Sequence, residues 1–194
     1  MIVLASKSAS RRAMLDAAGV AHEAIPASLD ERALEAGLAD CTPGEIAEAL
    51  SVAKAQAVAS THAGRLVLGS DSLVTCGGRR FDKPESRAQA AEHLHYFSGK
   101  VMELHSAAAL VRDDTCEWSA ASLARLHVRE LGEGFIERYL DAEWPEVGHC
   151  VGVFRIEGLG VQLFERIEGD HFTVLGMPLL GVLGALRELG EMSS

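Results

Sequence analysis

The sequence predicts an α/β fold built on a mixed central sheet flanked by helices. Three observations point there. Strand-like apolar runs interleave with helical patterns through the first half of the chain. Two long β-like runs, residues 100–112 and 116–128, lie either side of Asp113-Asp114-Thr115, as the arms of an antiparallel hairpin do. At 194 residues, with 48% hydrophobic and 24% charged content, the chain has the size and composition of one globular domain, with at most a modest second lobe. A single domain over residues 1–194 is the expectation.

In chain order, Ile2-Val3-Leu4-Ala5 reads as a buried strand. Ser6-Lys7-Ser8-Ala9-Ser10-Arg11-Arg12 then opens a helix that Gly19 stops. Residues 20–25 form a second strand ending at Pro26, and residues 28–32 an acidic loop. A loose helical turn broken at Gly37 leads to Thr42-Pro43-Gly44-Glu45, a helix start with Thr as N-cap, Pro at the first position and Glu at the third. That helix is expected to reach about His62. Residues 66–74 are apolar on both sides of a Gly69-Ser70-Asp71-Ser72 break, which predicts a central strand with an acid at its end. Gly77-Gly78 is a hairpin tip, residues 86–97 a helix and residues 132–140 a short amphipathic helix. Residues 141–148 read as loop, residues 151–164 mix strand signals with three glycines, residues 169–173 read as turn, and residues 178–189 form a last apolar helix.

Composition excludes several classes. The formal charge of −10 disfavours a nucleic-acid-binding face, though a local basic pocket can sit in an acidic protein. No apolar run approaches the roughly 18 residues that cross a membrane, and the amino terminus lacks a signal-peptide layout, so a cytoplasmic protein is expected. Cys41, Cys76, Cys116 and Cys150 are scattered with no C-x-x-C spacing, and His93 and His95 fall on different helix faces; neither set reads as a metal site.

The opening strand–turn–helix suits an anion. Free N–H groups of a first helical turn, the helix dipole, serine hydroxyls and the arginine fork all favour phosphate. The same residues also suit an ordinary N-cap with solvated arginines. Ser6, Ser8 and Arg11 gain weight beside Glu31, Lys54, Asp71 and Lys83. Each has a bland alternative, and a lone helical lysine such as Lys54 is usually solvated. Together they combine cations that neutralise phosphate oxygens with carboxylates that hold a divalent cation or accept a proton from water. No Walker loop and no G-x-S-x-G elbow is present.

The chain resembles the Maf (septum-formation inhibitor) family of nucleoside triphosphate pyrophosphatases over nearly its whole length. The resemblance rests on Leu4-Ala5-Ser6-Lys7-Ser8-Ala9-Ser10-Arg11-Arg12, Leu29-Asp30-Glu31, Ala53-Lys54-Ala55, Gly69-Ser70-Asp71-Ser72, Asp82-Lys83-Pro84, Phe97-Ser98-Gly99, and Gly169-Asp170 with Gly176-Met177-Pro178-Leu179, in that order. It implies an ITPase-like twisted sheet with a second, smaller lobe. It implies cleavage between the α- and β-phosphates of a nucleoside triphosphate, giving the monophosphate and pyrophosphate. Asp71 would be general base or metal ligand, and Glu31 would help to hold Mg²⁺ or Mn²⁺. Arg11, Lys54 and Lys83, with Ser6 and Ser8, would bind the phosphates. Arg12 stays open between a second phosphate contact and a surface charge.

Phe154-Arg155-Ile156-Glu157-Gly158-Leu159-Gly160 is similar to the 7-methyl-GTP pyrophosphatase branch. There Glu157 would accept from the N1–H and exocyclic amine of guanine; alternatively it is a solvent-facing strand residue. Ser72 stands where the dTTP/UTP branch has Thr and the methyl-GTP branch has Gln, and Cys150-Val151-Gly152-Val153 replaces Cys-Ala-Gly-Ser. Both departures fall near the expected base pocket. A homodimer is also implied, with residues 151–164 and the last helix available as interface or as core. The rival from another class is a nucleotide-binding regulator of cell division that acts through a partner.

Overall fold

The computed structural model describes residues 1–193. They divide into two compact units. The first holds Met1–Ser72, His105–Ser122 and the segment from Asp170 onward; the second, smaller one holds Leu73–Leu104 and Leu123–Gly169.

The first unit begins with β1 (Ile2–Leu4), α1 (Ala9–Ala17) and β2 (His22–Ala24). Ser8 is the N-cap of α1, its hydroxyl accepting from the Arg11 amide at 3.3 Å. Gly19 ends the helix at φ 68°, a left-handed value open to glycine. The loop expected at residues 28–32 ends at Asp30, and Glu31 and Arg32 already belong to α2 (Glu31–Ala36). The Asp30 carboxylate accepts from the Ala33 amide at 3.0 Å, which places Glu31 on the first helical turn. The capping box of α3 (Pro43–Ala59) forms as expected: Thr42 N–H donates to Glu45 at 2.7 Å and Glu45 N–H to Thr42 Oγ1 at 3.4 Å. These bonds from Thr42 hold the Glu45 carboxyl below its usual range.

β3 (Leu66–Cys76) contains no break. Asp71 therefore sits within the strand, not at its end. A strand carries buried polar groups when each is paired, and these are: Ser70 Oγ donates to the Ala107 carbonyl at 2.7 Å, and Asp71 accepts from Lys54. β5 (Val101–Arg112) and β6 (Thr115–Val128) turn at Asp113-Asp114, with Asp113 at φ 52° and its carboxylate accepting from the Gly64 amide at 2.7 Å.

Packing in this unit follows the period of two along the strands. Ile2, Leu4, Leu66, Leu68, Ala108 and Leu110 face one way, against α1 and the last helix. Val3, Ala5, Val67 and Val111 face the other, against Ala55, Val58 and Ala59 of α3. β1 pairs in parallel with both β2 and β3.

In the second unit, β4 (Arg79–Phe81) folds back on β3 through Gly77-Gly78, both at positive φ. It continues with α4 (Arg87–Phe97), α5 (Glu133–Glu143) and β7 (Phe164–Glu168), which runs antiparallel to β6. α5 extends to Glu143, into residues expected to be loop. Residues 151–163, expected to be strand-like, form turns and a 3₁₀ segment at Leu159–Leu163. Back in the first unit, α6 (His171–Val174) is a helical turn capped by Asp170 where a simple turn was expected, and α7 (Leu179–Glu188) is the last apolar helix. The sheet order is β2-β1-β3-β5-β6-β7 with β4 beside β3, the mixed, helix-flanked sheet that the sequence predicts.

His93 of α4 sits in an aromatic cluster, 5.1 Å from the Phe81 ring and 6.0 Å from the Phe97 ring, and its Nδ1 has no hydrogen-bond partner among the described residues. Burial pushes its pKa down; Arg79 adds to this, and Glu92 and Asp82 oppose it. A histidine held neutral in the fold is protonated first in the unfolded chain. Stability is therefore complete above the unfolded value of about 6.5 and falls as the pH drops through the window below it. Thermal melts at pH 7.5 and 5.5 should show a larger acid-induced loss for wild type than for His93→Leu, by a few degrees, the size that about 1 kcal/mol produces in a chain of this length. Equal losses in the two proteins would refute the assignment.

Candidate active site

Two groups of side chains meet on β3 within the first unit, one on each face of the strand. Ser70 and Ser72 share the face of Leu66 and Leu68; Asp71 shares that of Val67 and Gly69.

On the first face, α1 delivers Arg11. Its Nε donates to the Gly176 carbonyl at 3.0 Å, one terminal nitrogen to Ser6 Oγ at 3.4 Å and the other to Ser72 Oγ at 3.1 Å. Three of the five N–H donors of the guanidinium are so engaged, which leaves two for a ligand. Burial pulls the Arg11 pKa down, and the charges of Asp71 and Glu31 push it back up. Ser6 is buried, and its hydroxyl also accepts from the Ser8 amide at 3.1 Å. Behind Ser72 runs a row of hydroxyls, of which those of Ser106 and Thr173 are fully buried. Ser72 Oγ lies 3.0 Å from both the Gly176 carbonyl and Ser106 Oγ, Ser106 donates to the Thr173 carbonyl at 2.9 Å, and Thr173 Oγ1 donates to Ser122 at 2.9 Å. Gly176 adopts φ 100°, and a Cβ there would meet Ser72 Oγ at 3.2 Å, so glycine lets this carbonyl reach both Arg11 and Ser72.

On the second face, Lys54 of α3 reaches β3. Its Nζ donates to Asp71 Oδ1 at 2.5 Å and lies 3.1 Å from Glu31 Oε1. Lys54 and Asp71 are nearly buried, at 13% and 11% side-chain exposure, whereas Glu31 is 46% exposed. Close helix–strand contact makes this reach feasible. At Gly69 a Cβ would lie 2.0 Å from the Ser51 carbonyl oxygen and 2.8 Å from the Ala55 nitrogen. Only a glycine lets α3 approach so near, two residues before Asp71 on the same face.

The structure thus brings Ser6, Ser8, Arg11, Ser72, Glu31, Lys54 and Asp71 into one unit, around the end of β1. The β1 ladder stops at Leu4↔Leu68, whereas β3 continues past it. Arg12 is exposed on α1. Lys83 and Glu157 belong to the second unit, and both are exposed. They share the neighbourhood of Cys150: burial pushes that thiol up, Glu157 adds to the shift, and Lys83 and Arg155 oppose it. Glu157 lies in a turn, not on a strand.

Sequence reasoning passed over Gly69, Ser106 and Glu143. Gly69 was part of a recognised motif without a role of its own. Ser106 is one serine in an apolar strand and gives no signal. Glu143 lies in residues 141–148, whose sequence reads as loop.

The family model described as Maf-like protein matches residues 1–189. A nucleoside triphosphate pyrophosphatase of Nitrobacter hamburgensis is 46% identical over 192 residues, covering 99% of this chain and 95% of the relative. A 7-methyl-GTP pyrophosphatase of Rhizobium meliloti is 46% identical over 196 residues, covering 100% of this chain and 98% of the relative. Among solved structures, a HAM1 protein from Coxiella burnetii matches with a TM-score of 0.40 at 18% identity, over 66% of this chain and 72% of that one, a likeness too distant to bear on the site. No helix among the described residues is long and apolar enough to cross a membrane.

Proposed function

Because this chain belongs to the Maf-like protein family, we propose that it hydrolyses a nucleoside triphosphate to the monophosphate and pyrophosphate. The observation that carries this reading is the meeting of Lys54 with two carboxylates, Asp71 and Glu31, in the unit where Arg11 has N–H donors to spare. Family membership over residues 1–189 supports treating the whole chain as one functional domain.

Arg11 and the Ser6 and Ser8 groups bind phosphate oxygens, with Arg12 as an outer cation at the same helix start. Lys54 supplies further positive charge where pyrophosphate departs, and Lys83 is an exposed cation of the second unit available to a phosphate oxygen. Asp71 is the general base: water loses its proton to the carboxylate as its oxygen bonds phosphorus. The α–β bridging P–O bond breaks, and the electron pair leaves with pyrophosphate. Lys54, donating to Oδ1, orients the carboxylate and leaves Oδ2 for the water.

A divalent cation such as Mg²⁺ or Mn²⁺ fits the donor set. Glu31 and Asp71 supply hard carboxylate oxygens within one unit, and Lys54 engages only one oxygen of each, Glu31 Oε1 and Asp71 Oδ1. No cluster of three or more protein ligands occurs among the described residues, so substrate oxygens and water would complete the shell, as is usual for Mg²⁺. Bound there, the ion would neutralise charge that develops on the phosphate oxygens. In the second unit, Glu157 offers an exposed carboxylate to a donor-rich base edge, which favours guanine and a cationic 7-methylguanine. Ser72 lies behind Arg11 and tunes its position.

Pyrophosphate release from 7-methyl-GTP, dTTP, UTP and CTP, with Mg²⁺ or Mn²⁺ and again with EDTA, tests the reading. Release from at least one nucleotide, lost with EDTA, is expected. No release from any of them would leave the regulator of cell division as the better account.

A further inference from the structure

We infer that Glu143 is a positioning residue that clamps the turn bearing Glu157 and so sets base selectivity; this rests on the reading of Glu157 as the base contact. Glu143 is the last residue of α5 and only 5% exposed. Its Oε2 accepts from Arg155 Nε at 3.0 Å and from Arg155 Nη2 at 2.8 Å. Its Oε1 lies 3.4 Å from the Leu159 amide. One buried carboxylate therefore grips both ends of the segment 155–159.

Between those ends the chain makes a tight turn, closed by the Gly158 amide donating to the Arg155 carbonyl at 3.1 Å. Ile156 and Glu157 are its two central residues, so Glu157 stands at the tip, exposed, over a buried base. Just beyond the turn, Gly160 is needed for this packing, whereas Gly158 has room for a side chain's first carbon. A Cβ on Gly158 would stand 3.4 Å from Glu143 Oε1, and one on Gly160 would overlap the Arg155 carbonyl oxygen at 2.5 Å and nitrogen at 2.7 Å. One turn earlier on α5, the Tyr139 hydroxyl donates to the Val153 carbonyl at 3.0 Å and anchors the approach to the turn.

A carboxylate buried this deeply requires a partner, and Arg155 supplies two parallel donors. None of the residues in this clamp is among those proposed to bind phosphate. Its effect is to hold one exposed carboxylate in a fixed position. An exposed glutamate on a loose turn loses side-chain and backbone freedom when it meets a ligand, whereas one on a clamped turn has lost the backbone part already.

The test measures kcat and KM for pyrophosphate release from 7-methyl-GTP and UTP, with amide exchange at Gly158 and Leu159. The proteins are wild type, Glu157→Gln, Glu143→Gln, the double variant Glu143→Met/Arg155→Met, and that double variant combined with Glu157→Gln. The double variant removes both charges together and leaves no unpaired one, which protects folding. Glu157→Gln should lower the 7-methyl-GTP to UTP ratio of kcat/KM by about tenfold, the loss of one charge-assisted hydrogen bond. The double variant should lower the same ratio by at least about fivefold, through the KM for 7-methyl-GTP, with faster exchange at both amides. Glu143→Gln, which keeps one acceptor oxygen, should lose less. The combined variant should lose little beyond Glu157→Gln alone, because the two act as one unit.

A ratio moved by Glu157→Gln but not by the double variant overturns the clamp alone. So does a fall in kcat that is equal for both nucleotides. A ratio unmoved by Glu157→Gln overturns the base reading and the clamp with it. If neither nucleotide is hydrolysed, unchanged exchange at Gly158 and Leu159 overturns the clamp by itself.

Discussion

Asp71→Asn leaves a folded protein whose rate of pyrophosphate release is lower by about 10³-fold, the order that removal of a positioned general base costs. An amide has the shape of the carboxylate but cannot take the proton from water. Lys54 keeps a partner in Glu31, 3.1 Å away, so the nearly buried ammonium is not stranded and the fold survives. Steady-state turnover at saturating substrate and divalent cation, beside a thermal melt, reads the two effects separately. The melt should move by only a few degrees. Full turnover in Asp71→Asn would remove Asp71 from the chemistry.

Gly69→Ala is expected to have the largest effect on folding of any single-methyl change in the first unit. The added Cβ would sit 2.0 Å from the Ser51 carbonyl oxygen, 2.8 Å from the Ala55 nitrogen and 3.0 Å from the Ala55 Cβ. Two of these atoms are backbone, so no rotamer change relieves the overlap and α3 must move away from β3. A loss of about 3 kcal/mol or more is expected, the upper range for overpacking a core. Lys54 moves with α3 and away from Asp71, so activity falls even in the fraction that folds. Gly184→Ala is the control. Gly184 lies within α7, a Cβ there meets nothing within 4 Å, and alanine favours a helix, so this variant should be neutral or slightly stabilised. Denaturant midpoints for both variants decide the matter; equal midpoints would disprove the close contact.

The parts of this protein that were legible in its sequence are those whose signals are local. The capping box at Thr42 and Glu45, the glycine stops at Gly19 and Gly190, the hairpin tip at Gly77-Gly78 and the long β5–β6 pair all follow from a few neighbouring residues. The sequence places Asp71 at a strand end, whereas β3 runs through it. Four small and polar residues in a row look like a break, and only tertiary partners such as the Ala107 carbonyl and Lys54 let the strand continue through them. Residues 151–163 failed for a related reason. Their apolar content resembles a strand, but Gly160 brings its backbone against that of Arg155, a contact that no periodicity reports. The division of the candidate residues between two units was likewise hidden, because motif order along a chain carries no information on which unit a segment joins.

The hydroxyl row behind Arg11 has one further property. Arg11 can only donate, so Ser72 must direct a lone pair toward the guanidinium and its own hydrogen away from it. Ser106 points its hydrogen onward to the Thr173 carbonyl. The small dipoles nearest the cation are thereby aligned with their negative ends toward it. Together with the Gly176 carbonyl they do for this guanidinium what a first layer of water does for an arginine in solution, except that these dipoles cannot turn away. The cation is thus solvated by the protein itself on its inner side, so a ligand that meets its two remaining donors has no water shell to reorganise there.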